Sequence, residues 1–141
     1  MTTPPTSQKT VLIVEDEQSI RDILVELFDV EGNRVTAAEL LPEAIEKLRV
    51  QHFDLIVTDL RLGGKRDGGL QVLAMASMLS ADATALVLTA YPDDSNRQAA
   101  FRLGAVHFLE KPVDLAVIAQ HAALAQVQTA FAAGASAPAS A

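Results

Sequence analysis

The chain has no cysteine in its 141 residues, which excludes disulfides and thiolate metal sites and fits a reducing compartment. Basic residues are scarce. Eleven Lys and Arg stand against eighteen Asp and Glu, and the resulting charge of −7 argues against general affinity for nucleic acid or anionic membranes, since phosphate neutralisation needs clustered Lys and Arg. The small basic spot of Arg61, Lys65 and Arg66 reads as a solvated face. The three histidines, His52, His107 and His121, lack metal-ligand spacing. No stretch approaches the ~20 apolar residues of a membrane span. Met1 to Lys9 is polar and Pro/Thr-rich with no apolar signal core, so the chain reads as soluble and cytoplasmic.

About half of the residues are apolar, and the length suits one domain with a real core. The stretch that organises the rest is Leu55-Ile-Val-Thr-Asp-Leu60, an aliphatic run that ends on a single carboxylate, Asp59. A run without polar alternation suits the centre of a parallel sheet covered on both faces. Asp59 then lies at the carboxyl end of its strand, the edge at which open α/β sheets bind ligands.

Taken in order, residues 1–9 read as a disordered lead, 10–132 as the folded domain and 133–141 as a low-complexity mobile tail. A first strand, Thr10 to Val14, runs into Glu15-Asp16-Glu17. Helical spacing of Ile20, Ile23, Leu24, Leu27 and Phe28 predicts a helix from Gln18 to Val30, stopped by Gly32-Asn33. Arg34 to Ala38 is a short strand, and Pro42 opens a helix that ends near Val50. After Asp59 comes Arg61-Leu-Gly-Gly-Lys-Arg-Asp-Gly-Gly69, a loop long enough and rich enough in glycine to need a reason. A helix over Leu70 to Leu79 offers Leu70, Leu73, Met75, Ala76 and Leu79 for burial. Strand Ala85 to Thr89 leads to Pro92 and two acids at a helix entry, the helix running from Ser95 to Leu103. Strand Ala105 to Leu109 runs into Lys111-Pro112. The last helix is expected from near Asp114 to about Ala132, because alanine favours helix by propensity alone. It offers a homodimer element or the start of a linker.

Five rounds of strand then helix imply a doubly wound parallel α/β sheet with helices on both faces. The expected strand order is the flavodoxin-like 2-1-3-4-5, with the first and third strands adjacent at the switch point. One rim then gathers Glu15, Asp16, Asp59, Thr89 and Lys111. Clustered carboxylates repel one another and favour a cation, and hard oxygen ligands completed by a carbonyl and waters suit Mg²⁺.

Val-Glu-Asp-Glu after the first strand, Asp59 after the third, Thr89-Ala90 after the fourth and Lys111-Pro112 after the fifth resemble the receiver domain of two-component response regulators. The resemblance covers about residues 9 to 130. It implies that Asp59 is the phosphoacceptor, taking its phosphoryl group from a sensor histidine kinase or a histidine phosphotransfer protein. Glu15 and Asp16 would hold Mg²⁺ with Asp59 and the backbone carbonyl of Arg61. Lys111 and Thr89 would engage phosphoryl oxygens, and Ala90 keeps the approach open. Movement of Thr89 would leave room for Phe108 to turn inward, which reshapes the surface for a downstream protein target. Pro112 resembles the family's cis proline.

The chain departs from that pattern at the loop after Asp59. Gly63-Gly64 stands where a proline is usual, the loop is longer by a residue or two and is expected to be mobile, and Asp67 reads as a turn former rather than a ligand. Arg61 and Tyr91 occupy the two variable positions that flank the acceptor. Their bulk is expected to restrict hydrolytic water and so to modulate the phosphoryl lifetime.

Rival readings are an aspartyl-phosphate phosphohydrolase, a flavodoxin-type cofactor binder and a degenerate receiver acting as an unphosphorylated scaffold. The first wants a second acid two residues after the nucleophile, where Arg61 stands. The second wants a phosphate loop where Glu15-Asp16-Glu17 would repel phosphate. The intact acid set speaks against the third. The expected function is therefore a phosphorylation-dependent signalling switch, not an enzyme of substrate turnover, although slow self-dephosphorylation is expected. No output domain follows residue 133, so the chain acts alone, passes phosphate along a relay, or belongs to a longer protein.

Overall fold

A computed structural model describes residues 8–131. Most of the expected lead and all of the expected tail lie outside the described residues. Lys9, assigned to the lead, already belongs to the first strand. Strands β1 (Lys9–Val14), β2 (Asn33–Ala38), β3 (Leu55–Thr58), β4 (Thr84–Thr89) and β5 (Ala105–Glu110) alternate with helices α1 (Gln18–Phe28), α2 (Leu41–Val50), α3 (Gly68–Leu79), α4 (Asp94–Arg102) and α5 (Leu115–Leu124). The strands pair in parallel in the order 2-1-3-4-5, as expected.

Successive strand side chains point to opposite faces, so an unbroken apolar strand feeds two cores. On one face Leu12, Val14, Ile56 and Val87 meet Ala44 and Leu48 of α2, Val72 and Leu73 of α3 and Ala100 of α4. On the other, Val11, Ile13, Leu55 and Leu86 meet Leu24 and Phe28 of α1 and Leu115 and Ile118 of α5. Each fully buried Leu or Ile stabilises the fold by roughly 1.5–3 kcal/mol relative to exposure. This double burial holds the carboxyl ends of β1, β3 and β4 in one rigid row.

Helix α4 is entered as the two acids imply, with the Asp93 carboxylate accepting the Asn96 N–H at 2.7 Å. Helix α3 begins at Gly68, two residues before its expected start, and buries Val72 while Leu79 is exposed. The buried set Gly69, Val72, Leu73 and Ala76 is one helical face; the expected set was out of phase at its end.

The last helix is the main correction. It ends at Leu124 instead of near Ala132. Gln126 adopts φ 63°, its N–H donates to the Ala123 carbonyl at 2.9 Å, and the Val127 N–H donates to the Ala122 carbonyl at 2.9 Å, a Schellman stop with glutamine in the usual glycine place. Residues 127–131 then fold back over the end of α1. Val127 and Thr129 are buried, the Ala130 N–H donates to the Leu27 carbonyl, and Asn33 Nδ2 donates to both the Phe28 and Gln128 carbonyls. Burial and these bonds outweigh alanine's helix propensity. The long helix that offered a dimer element is absent among the described residues.

Candidate functional site

The rim is built by strand ends held in register. The Asp59 N–H donates to the Val14 carbonyl at 3.0 Å, and the Glu15 N–H donates to the Ala38 carbonyl at 3.1 Å. The two loops that follow β1 and β3 therefore start side by side. The Lys111 N–H donates to the Thr89 carbonyl at 2.8 Å, which ties the loop after β5 to the end of β4. The Lys111-Pro112 peptide bond is cis.

Across this row Lys111 Nζ donates to Glu15 Oε1 at 2.5 Å and to Asp59 Oδ2 at 2.9 Å. One carboxylate oxygen from each of Glu15, Asp16 and Asp59 lies within 4.8 Å of the others, the one such acidic or histidine cluster among the described residues. The three donors are hard oxygens, the set Mg²⁺ takes. The Arg61 carbonyl accepts no hydrogen bond among the described residues.

Glu15 is 1% exposed, and that burial pushes its carboxyl above the usual range despite the opposing hydrogen bond and charge of Lys111. Burial alone would lower the Lys111 ammonium. The hydrogen bonds and charges of Glu15 and Asp59 outweigh it and raise Lys111 above its ordinary value, so the amine is firmly charged.

Glu15, Asp16, Asp59, Arg61, Tyr91 and Lys111 line one cleft of about 520 Å³. Ala90 lines it too and adds little bulk. Arg61 Cζ stacks 3.7 Å from the Tyr91 ring centroid, a cation–π contact at the mouth. Thr89 is fully buried, and its hydroxyl accepts the Tyr91 N–H at 3.0 Å. Phe108 lies outside the cleft, half-buried against the core beside α4, with Arg97 Cζ 5.6 Å from its ring. Asp67 is not at the cleft. It precedes α3 and accepts from Gln71 Nε2 at 3.1 Å. The histidines stay away from the cluster: His52 pairs with Asp82, and His107 stacks on His121.

Sequence reasoning missed three backbone contributions. The Leu60, Glu17 and Gly63 N–H groups donate to Asp59, Glu15 and Asp16 respectively, at 2.7, 3.1 and 2.9 Å. It also missed Arg21, which donates to the Glu15 carbonyl at 2.9 Å. Amides leave no trace in side-chain identity; only the run of glycines hinted at them.

No helix among the described residues is long and apolar enough to cross a membrane. The family described as "response regulator receiver domain" matches residues 11–136. The alginate biosynthesis transcriptional regulatory protein AlgB of Pseudomonas aeruginosa is 35% identical over 112 residues, 79% of this chain but only 24% of that protein. Sporulation initiation phosphotransferase F of Bacillus subtilis is 28% identical over 105 residues, 74% of this chain and 83% of that protein. Among solved structures, a response regulator protein from Burkholderia pseudomallei with a phosphorylated aspartic acid, calcium ion and citrate aligns with TM-score 0.72 at 30% identity, covering 90% of this chain and 71% of that one. With its strand order, its acidic rim and a match that spans nearly all of its folded length, the chain belongs to the response regulator receiver domain family of two-component signalling.

Proposed function

We propose that residues 10–132 act as a phosphoacceptor receiver in which Asp59 takes a phosphoryl group from a histidine kinase or histidine phosphotransfer protein in a Mg²⁺-dependent reaction. The observation that carries this reading is the Lys111 ammonium shared between Asp59 and Glu15, with Asp16 beside them on the same rim. The phosphorylated aspartic acid named for the Burkholderia protein supports it.

An Asp59 carboxylate oxygen attacks phosphorus, the P–N bond of the donor breaks as the O–P bond forms, and the imidazole leaves. Lys111 stays anchored by Glu15 while it follows charge from Asp59 to the incoming phosphoryl oxygens. A divalent ion held by Glu15, Asp16, Asp59 and the Arg61 carbonyl would cancel the remaining negative charge. The Thr89 hydroxyl donates to another phosphoryl oxygen. The Tyr91 N–H that now binds it adjusts, and Phe108 turns towards the space behind it, so the α4, β5 and α5 surface changes for a downstream protein. Arg61 and Tyr91, stacked at the mouth, restrict attacking water and lengthen the phosphorylated state.

The deciding experiment is incubation with Mg²⁺ and acetyl phosphate or beryllofluoride, followed by intact mass and spectroscopy. Wild type should take one adduct and Asp59→Asn none. A wild type that takes none would favour an unphosphorylated scaffold. Decay of the phosphoprotein should accelerate in Arg61→Ala and Tyr91→Ala; unchanged decay in both would remove the mouth from the account.

A further inference from the structure

Each acid of the cluster accepts one backbone N–H, and the three donors differ in origin. Glu15 is served by Glu17 and Asp59 by Leu60, both from the acid's own loop. Asp16 is served by Gly63, from the loop after β3, at 2.9 Å. It is the one hydrogen bond to the Asp16 carboxylate among the described residues. Glu15 and Asp59 also share the Lys111 ammonium, which Asp16 does not. Asp16 is thus the acid whose orientation depends on a single neutral donor from a separate segment.

That donor is aimed by a defined turn. Leu62 and Lys65 exchange backbone hydrogen bonds, each 3.1 Å, around Gly63 (φ 59°) and Gly64 (φ 82°). Positive φ at both central positions is the type I′ hairpin turn, which needs glycine or asparagine. The turn also sits against Leu40, so closely that a Cβ on Gly63 would lie 2.5 Å from Leu40 Cδ2. The proline usual at this point would have no N–H to give.

We propose that the Gly63 amide is a positioning group for the divalent-ion site, holding the Asp16 carboxylate in the orientation that binds the ion. The inference rests on the function proposed above and deepens it. Outer partners that orient a ligand commonly change metal affinity by about 10–100-fold when lost. Because coupling is reciprocal, ion binding also steadies the Leu62–Lys65 turn.

The test is calorimetric titration with MgCl₂ of wild type, Gly63→Pro and Gly63→Asn, with amide hydrogen exchange of ¹⁵N-labelled wild type. Proline removes the N–H and cannot adopt the required φ, so Mg²⁺ affinity should fall about tenfold or more. Asparagine keeps the N–H, tolerates positive φ and makes the favoured Asn-Gly pair, and the Leu40 methyl that its Cβ would meet is the free end of an exposed side chain that can turn aside, so it should recover most of that loss. In wild type the Gly63 amide should exchange more slowly once Mg²⁺ is saturating. Wild-type affinity in Gly63→Pro, or faster exchange at Gly63 with Mg²⁺ bound, would overturn the proposal and leave the phosphoacceptor reading intact. A wild type that binds no Mg²⁺ would overturn both. Should Gly63→Pro fail to fold, the wild-type exchange measurement decides alone.

Discussion

Replacing Gly69 with alanine tests how the start of α3 sets the position of Asp59. Gly69 is buried in the first turn of the helix, and its N–H donates to the Leu60 carbonyl at 2.8 Å. A Cβ there would fall 2.0 Å from the Asp59 carbonyl oxygen, 2.8 Å from Leu60 Cα and 2.9 Å from the Asp59 carbonyl carbon. All three are backbone atoms, so no rotamer change relieves the overlap. Helix and strand end must part by more than an ångström. Helix propensity would favour alanine by about 1 kcal/mol. Overpacking costs ~1–3 kcal/mol and reaches the upper end where backbone must move. The net expectation is a loss of about 2 kcal/mol, together with displacement of the Asp59 main chain.

Gly68 is the internal comparison. A Cβ there would meet Leu62 Cβ at 2.9 Å and its Cδ1 at 3.1 Å; Leu62 is itself buried, but these are side-chain atoms and the approach is 0.9 Å less close than that of Gly69 to the Asp59 carbonyl oxygen. Urea unfolding should show the midpoint falling further in Gly69→Ala than in Gly68→Ala with the slope unchanged. Adduct formation with acetyl phosphate should slow more in Gly69→Ala as well. A Gly69→Ala protein as stable as wild type would refute the close approach of α3 to the acceptor.

Lys111→Met strips the ammonium from two buried carboxylates and should lower the unfolding free energy by about 3 kcal/mol in EDTA, with partial recovery in Mg²⁺. Urea titrations in the two buffers measure it. His121 is held below its usual 6.5 by burial and then by the charge of His107, whose ring centroid lies 3.7 Å away. The native state disfavours its protonated form, so its contribution to stability is full above pH 6.5 and is lost as pH falls from there towards the folded-state value; His121→Gln should flatten that part of a stability–pH series. Val127 is 1% exposed at the start of the folded-back segment, so Val127→Ala should cost about 1.5–3 kcal/mol, read as a lower unfolding midpoint.

The parts of the fold that could be read in advance are those where one physical signal dominates. The aliphatic run of β3 suits a sheet buried on both faces, and Glu15, Asp16, Asp59, Thr89 and Lys111 could be gathered because each lies at a strand end or within two residues of one. Reading failed where two signals compete. Gly68 and Gly69 looked unsuited to helix by propensity, yet the close approach to Asp59 and Leu62 requires them inside α3. The alanines after Leu124 looked helical, yet Val127 and Thr129 gain more by burial on α1. The Gly63 donor was illegible because the chemistry belongs to an amide, and its acceptor, Asp16, lies 47 residues away.

The uneven sharing of Lys111 also gives the rim two unlike sides. Three carboxylates face one ammonium, which leaves an excess of two negative charges. Lys111 binds Glu15 and Asp59, so the excess is least compensated towards Asp16. On the proposed function, a divalent ion gains most on that side and the phosphoryl group enters on the Lys111 side, with Asp59 common to both. Removing the charge of Asp16 should therefore weaken Mg²⁺ binding while leaving the Lys111–Asp59 pair in place. Asp16→Asn keeps the side-chain volume and an oxygen able to accept the Gly63 N–H, so calorimetry with MgCl₂ isolates the charge itself. Unchanged Mg²⁺ affinity in that variant would mean that the excess charge lies elsewhere on the rim.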